Sequence, residues 1–131
     1  MRAGKAQIIA LHGLLVKHDV PVSPEHGPIL VNLWIEDGIS QQELTNRIFK
    51  HKGVIARGIQ ALEKQGYLMR ETNPSDKRSK LVFLTDYGRE MEARVLPYLR
   101  KVASEALCDL SEHDKIIFRK VLNHIHHKFS K

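Results

Sequence analysis

The sequence predicts a mostly helical α+β domain, and three observations carry that prediction. Apolar residues recur at helical spacing in six stretches, two strand-like segments bracket a turn-rich septet, and a length of 131 residues with 42% hydrophobic content supports one modest core.

The first stretch, Lys5 to Lys17, carries Ile8, Leu11 and Leu15 on one face, widened by Leu14, and stops at Asp19-Val20-Pro21. Ser23 before Pro24 and Glu25 reads as an N-cap with proline at the first helical position, and Ile29, Leu30, Leu33 and Trp34 form the apolar face of a second helix ending at Gly38. Ser40-Gln41-Gln42-Glu43 has the S-x-x-E form of a capping box, so a third helix starts there with Leu44 and Ile48 inward. A turn around Phe49 to His51 leads to a fourth helix, Lys52 to Gln65, with Ile55, Ile59 and Leu62 inward and Gly66 at the left-handed C-terminal position.

Tyr67 to Thr72 and Lys80 to Thr85 read as strands, and Asn73-Pro74-Ser75-Asp76-Lys77-Arg78-Ser79 between them as a basic hairpin tip. Thr85 caps a long helix running toward Leu110 with Met91, Val95, Val102 and Ala106 inward, bent at Pro97. Ser111-Glu112-His113-Asp114 caps a last helix with an apolar stripe of Phe118, Val121, Leu122, Ile125 and Phe129. No internal repeat, low-complexity tract or long linker divides the chain, so a single domain over residues 1–131 is expected.

Charge gives the first functional clue. From Arg47 to Lys80 nine basic residues face three acids, a net of +6 that equals the net charge of the whole chain. A positive field confined to one segment is what phosphate binding requires, whereas a solubility charge would be spread over the surface.

Helix three, a tight turn, helix four and a two-stranded ribbon is the order of a winged helix-turn-helix, in which helix three braces helix four against nucleic acid. With Ile55, Ile59 and Leu62 inward, Lys52, Gly53, Ala56, Arg57 and Gln60 face outward. Arg57 suits a bidentate contact to guanine, Gln60 a contact to adenine, and Lys52 a phosphate. Arg78 suits a narrow minor groove with Asp76 holding its guanidinium, and Lys77 and Lys80 suit phosphates.

At these residues the chain resembles the MarR family of bacterial regulators. Leu44 to Arg70, Asp76-x-Arg78, and Leu84-Thr85 followed by Gly88 look like that family's pattern, and the similarity runs from Ser23 to the C-terminal helices. The resemblance implies a winged DNA-binding lobe over about 23–88, a homodimer held by helices within 1–20 and 89–131, and an effector pocket where lobe and dimer helices meet. It also places Arg57 on the recognition helix and makes Arg78 the wing arginine. Residues expected to line the pocket are His12, Leu15, Trp34 and Met69. The chain departs from the pattern at Gly53 and Ala56, where such regulators often carry Ser or Thr hydroxyls, and Gly58 adds a second helix-weakening residue.

The last two helices carry more apolar surface than a small lobe covers, since Phe118, Leu122, Ile125 and Phe129 project beyond it, and a symmetric partner is the simplest cover. Two-fold symmetry implies half-sites about 10 bp apart, or a multiple of that, in a pseudo-palindromic operator on double-stranded DNA.

Other residues lead elsewhere or nowhere. The single Cys108 forms no internal disulfide framework and fits a reducing cytoplasm, and no activating partner marks it as a sensor. Of His113, His124, His126 and His127, only His124 and His127 share a helical face, and no carboxylate or thiol is suitably spaced beside them, so no metal and no cofactor are expected. Tyr67, Tyr87 and Tyr98 offer no nucleophile with a base, and phosphate loops and paired catalytic carboxylates are lacking, so an enzyme is not expected. The N-terminal apolar run is interrupted by Gln7, His12 and Gly13, and none reaches the roughly 18 residues of a membrane span. The expected function is a sequence-specific transcriptional regulator of the repressor kind, open to a small-molecule effector. The competing readings are a winged-helix protein-interaction module, favoured by Gly53 and Ala56, and a non-specific architectural DNA binder.

Overall fold

The computed structural model describes residues 2–48 and 50–129, so the expected turn at Phe49 lies in part outside the described residues. It contains α1 (Arg2–Lys17), α2 (Gly27–Ile35), β1 (Ile39–Ser40), α3 (Gln41–Ile48), α4 (Lys52–Lys64), β2 (Leu68–Asn73), β3 (Asp76–Leu84), α5 (Asp86–Leu107) and α6 (Glu112–Phe129). The strands form one antiparallel sheet in the order β1-β3-β2, and the whole is a winged helix-turn-helix with added terminal helices.

The core sits where α2, α3, α4, the sheet and the first turns of α5 meet. Leu30, Leu33, Leu44, Ile59, Leu62, Val82 and Met91 are fully buried there, and each comes from the apolar face its helix or strand period dictates. The end of α4 forms a Schellman turn: the N–H of Gly66 donates to the Glu63 carbonyl and that of Tyr67 to the Leu62 carbonyl, both at 3.0 Å. Gly66 takes φ +83°, a left-handed conformation that a glycine adopts without a Cβ penalty. Tyr67 then enters the core beside Leu62, and its ring stacks on Tyr87 with centroids 4.8 Å apart.

Four sequence expectations are corrected. Helix α2 starts at Gly27, not after Ser23, because the Ser23 carbonyl accepts from the N–H groups of both His26 and Gly27 and closes a separate turn. Pro28, not Pro24, is the proline of its first turn. The short strand β1 was not expected: Gly38, at φ +71°, turns the chain so that its N–H reaches the Val82 carbonyl and Ile39 pairs with Val82. The hairpin strands run further than expected, pairing as far as Asn73 with Asp76, so only Pro74 and Ser75 form the tip and Arg78 lies in β3.

The fourth correction concerns α5. It ends at Leu107, with Pro97 inside it, and of the residues expected inward Met91 and Val95 are buried but Val102 is half-buried and Ala106 exposed. The caps at both flanking starts hold: Thr85 Oγ1 accepts from Gly88 N, and Ser111 Oγ accepts from Asp114 N.

Helix α6 differs from every other helix. None of its residues is buried, and Ile117, Phe118, Val121, Leu122 and Ile125 are each close to half exposed along one stripe. Ile8, Ile9 and Val16 of α1 are also exposed, so the two terminal helices present bare apolar surface on a chain whose core is otherwise closed.

Candidate nucleic-acid interface

Two positions of the fold concentrate functional side chains. The first is the outer surface of α3, α4 and the wing formed by β2 and β3. Burial of Ile55, Gly58, Ile59 and Leu62 turns the opposite side of α4 outward, leaving Lys52, Gly53, Arg57 and Gln60 exposed and Ala56 half-buried. Gly58 therefore has a packing reason and does not simply weaken the helix. A Cβ there would lie 2.7 Å from Ile29 Cδ1, so the glycine lets α4 approach α2.

Between α3, the start of α4 and the wing lies a concavity of about 740 Å³. Lys52 borders it from α4, Arg78 and Lys80 from β3, and Gln41, Gln42, Thr45 and Asn46 from α3. The α3 residues were missed in the sequence, where α3 reads only as a brace. Their signal is the polar spacing of Gln42, Thr45 and Asn46 on one side of a helix whose only buried residue is Leu44. Gly53, Ala56, Arg57, Gln60 and Lys77 are not part of that concavity.

The charges are sorted by their partners. Arg47 is tied at 2.6 Å to Glu36 and at 3.0 Å to Glu43, which raises its pKa, and Arg70 makes a two-pronged pair with Glu63 at 3.0 and 3.1 Å. Both guanidiniums are thus engaged within the protein and serve α3 and the wing base. Arg78 is different: its side chain is 93% exposed, while Asp76 Oδ1 accepts from its backbone N–H at 3.0 Å and its Nε at 3.3 Å. The aspartate fixes the root of the side chain and leaves the outer guanidinium nitrogens open. Lys80 Nζ rests 3.1 Å from Thr72 Oγ1 on the neighbouring strand.

The Glu63–Arg70 pair carries a pH consequence. Hydrogen bonds from Arg70 hold the Glu63 carboxyl below its ordinary value of 4.5, so its stabilisation is complete above that value and is lost as pH falls through the lower folded pKa. Urea midpoints measured between about pH 3 and 7 should therefore fall less steeply on the acid side for Glu63→Gln than for the unmodified protein. Parallel acid limbs would show that the pair does not couple to folding.

The second position is a cavity of about 310 Å³ between α1, α2 and α5. His12, Leu15 and Trp34 line it, together with Leu11, Val22 and Val95, and its wall is almost wholly apolar. Met69 does not reach it: this residue sits on β2 opposite Phe83 and is exposed. Two buried polar atoms, His12 Nδ1 and Ser23 Oγ, find no protein partner, and both residues belong to the cavity lining. Trp34 is fixed by its Nε1–H donating to the Gly88 carbonyl at 3.0 Å, which links the cavity wall to the start of α5.

Among the described residues no three His, Cys, Asp or Glu side chains gather as a metal site, and no helix is long and apolar enough to cross a membrane. The exposed Cys108 Sγ contacts the Glu105 carbonyl one turn back on α5.

Comparison with known proteins agrees with this geometry. The MarR family model matches residues 22–80, which span α2 to the middle of β3. The chain is 33% identical over 86 residues to the HTH-type transcriptional regulator TtmR of Methylorubrum extorquens (strain PA1), covering 66% of this chain and 43% of TtmR. It is 31% identical over 109 residues to the uncharacterized HTH-type transcriptional regulator YkoM of Bacillus subtilis (strain 168), covering 77% of this chain and 71% of YkoM. Among solved structures, a putative MarR family transcriptional regulator from Listeria monocytogenes complexed with 26mer DNA superposes with a TM-score of 0.83 at 19% identity, over 96% of this chain and 83% of that one. With the winged fold, the matched family model and a relative covered over most of its length, the chain belongs to the MarR family of helix-turn-helix transcriptional regulators.

Proposed function

We propose that the protein is a homodimeric repressor that binds a pseudo-palindromic operator in double-stranded DNA and responds to a small-molecule effector. The observation that carries the DNA reading is the pairing of an exposed, Asp76-anchored Arg78 on the wing with Lys52 and Lys80 around one concavity, beside the outward Arg57 and Gln60 of α4. Helix α4 enters the major groove with Arg57 and Gln60 toward base edges and the backbone of Gly53 and the small Ala56 allowing close approach. Lys52, Lys77 and Lys80 meet phosphates, and Arg78 reaches the adjacent minor groove. The Listeria regulator of the same fold is complexed with DNA, which supports this reading.

In this reading residues 23–88 form the DNA-binding lobe and helices within 1–20 and 89–131 form the dimer, covering the bare stripe of α6. Binding across a promoter in the cytoplasm would repress by occlusion. The cavity between α1, α2 and α5 lies where lobe and dimer helices meet, and its two unpartnered polar atoms give an apolar effector a place to be oriented. An occupant that fits only one lobe orientation would shift the balance between DNA-competent and incompetent dimers.

The test is selection of genomic fragments by the purified protein at about 50 and 200 mM salt, with Arg78→Ala in parallel. The unmodified protein should enrich pseudo-palindromes and weaken steeply with salt, and Arg78→Ala should bind the recovered operator about tenfold less tightly. No enrichment at either salt would overturn the regulator reading in favour of a protein-interaction module. Salt-sensitive binding without sequence preference would leave an architectural DNA binder.

A further inference from the structure

Val54 stands in the first turn of α4, between Gly53 and the buried Ile55, and is 44% exposed. Singly exposed valines are common on protein surfaces, but this one occupies the turn that meets base edges when a recognition helix docks. On α4 itself the outward side around Val54 carries few side chains able to hydrogen-bond a base, the amides and hydroxyl of Gln41, Gln42, Thr45 and Asn46 belonging to α3. Gly53 and Ala56 have none in their side chains, which leaves Lys52, Arg57 and Gln60. A β-branched valine in a helix is held close to one χ1 rotamer, so its two methyls form a rigid apolar knob with little rotamer freedom left to lose.

The apolar group that base pairs present in the major groove is the C5-methyl of thymine. We propose that Val54 is a specificity-determining residue that selects thymine in each half-site by packing on that methyl. The inference rests on the DNA-binding reading and adds a base that no hydrogen bond reads. Val54 and Arg57 are three residues apart on one helix, with Cβ atoms roughly 5–6 Å apart. At about 3.4 Å per base along a strand, the thymine falls one or two steps from the guanine that Arg57 contacts.

The test replaces each thymine of the selected operator by deoxyuridine, which removes the methyl and keeps the O4 acceptor. Binding is measured with the unmodified dimer, Val54→Ala and the isosteric Val54→Thr. One symmetry-related pair of thymines should be sensitive, weakening the unmodified protein by roughly three- to tenfold for the loss of a methyl contact. Val54→Ala should bind both operators alike, and Val54→Thr, which keeps one methyl, should retain part of the difference. An operator bound equally well with deoxyuridine, or a sensitivity that survives Val54→Ala unchanged, overturns the inference while the regulator reading stands. Failure to enrich any sequence overturns the regulator reading and this inference with it.

Discussion

In the proposed homodimer, placing glutamates at Leu122 and Ile125 should yield a monomer and lower operator affinity by a hundredfold or more. Both side chains are 48% exposed on α6, three residues apart on the stripe that also carries Phe118 and Val121. In the single chain they touch little, so the substitutions leave the closed core of α2 to α5 intact. In a dimer they place charge in an apolar seam, which costs several kcal/mol per unpaired ion. Joining two half-site readers multiplies the affinity of either by about 10² to 10⁴ through effective concentration, and a monomer forfeits that factor. Sedimentation equilibrium gives the mass and fluorescence anisotropy the operator affinity. A variant that stays dimeric would move the interface off α6, and a monomer that keeps its affinity would show that one lobe suffices.

The same stripe shows how much of this protein could be read from its sequence. Phe118, Val121, Leu122, Ile125 and Phe129 were legible as an apolar face because helix periodicity is local, but periodicity does not say what lies against a face, and among the described residues nothing buries this one. Ala106 was misread for the related reason that periodicity assigns a face without saying whether anything lies against it. Strand β1 was invisible: two residues carry no period, and only the distant Val82 makes Ile39 a strand. Ser23 looked like a helix cap, yet its carbonyl closes a separate turn with the N–H groups of His26 and Gly27, so α2 starts at Gly27 and Pro28 takes the first-turn position that Pro24 was expected to hold.

At the candidate site the outcome follows the same division. Lys52, Gly53, Arg57 and Gln60 were assigned outward by default once Ile55, Ile59 and Leu62 were assigned inward, and the structure places them there. The concavity formed with Gln42, Thr45 and Asn46 of α3 depends on how the wing folds back, which no local pattern encodes. His12, Leu15 and Trp34 meet at one cavity although the first two lie on a different helix from the third, whereas Met69, on β2, does not join them.

Gly88→Ala should be among the most destabilising single substitutions in the chain, although alanine is the better helix former. Gly88 lies in the first turn of α5, and a Cβ there would stand 2.3 Å from the Tyr67 carbonyl oxygen and 3.1 Å from Leu84 Cδ2. The carbonyl cannot swing aside, because it accepts the Thr85 N–H at 3.0 Å in the link that joins the start of β2 to the start of α5. The Gly88 carbonyl in turn holds Trp34, so displacement of α5 also loosens a wall of the cavity. Helix propensity returns about 1 kcal/mol to alanine, and overpacking against fixed backbone costs about 1–3 kcal/mol or more, so the clash decides the sign. Gly53→Ala should go the other way, stabilising by about 0.5–1 kcal/mol, because among the described residues a Cβ there meets only the end of the exposed Arg57 side chain, Nη1, at 3.5 Å. Gly58→Ala falls between them, since the atom in its way is the end of the Ile29 side chain, which has rotamers to move into. Urea denaturation of the three variants reads the order directly. A Gly88→Ala protein as stable as the parent would mean that α5 shifts on the sheet without cost, and the tie between the wing base and the cavity through Tyr67, Gly88 and Trp34 would then not be rigid.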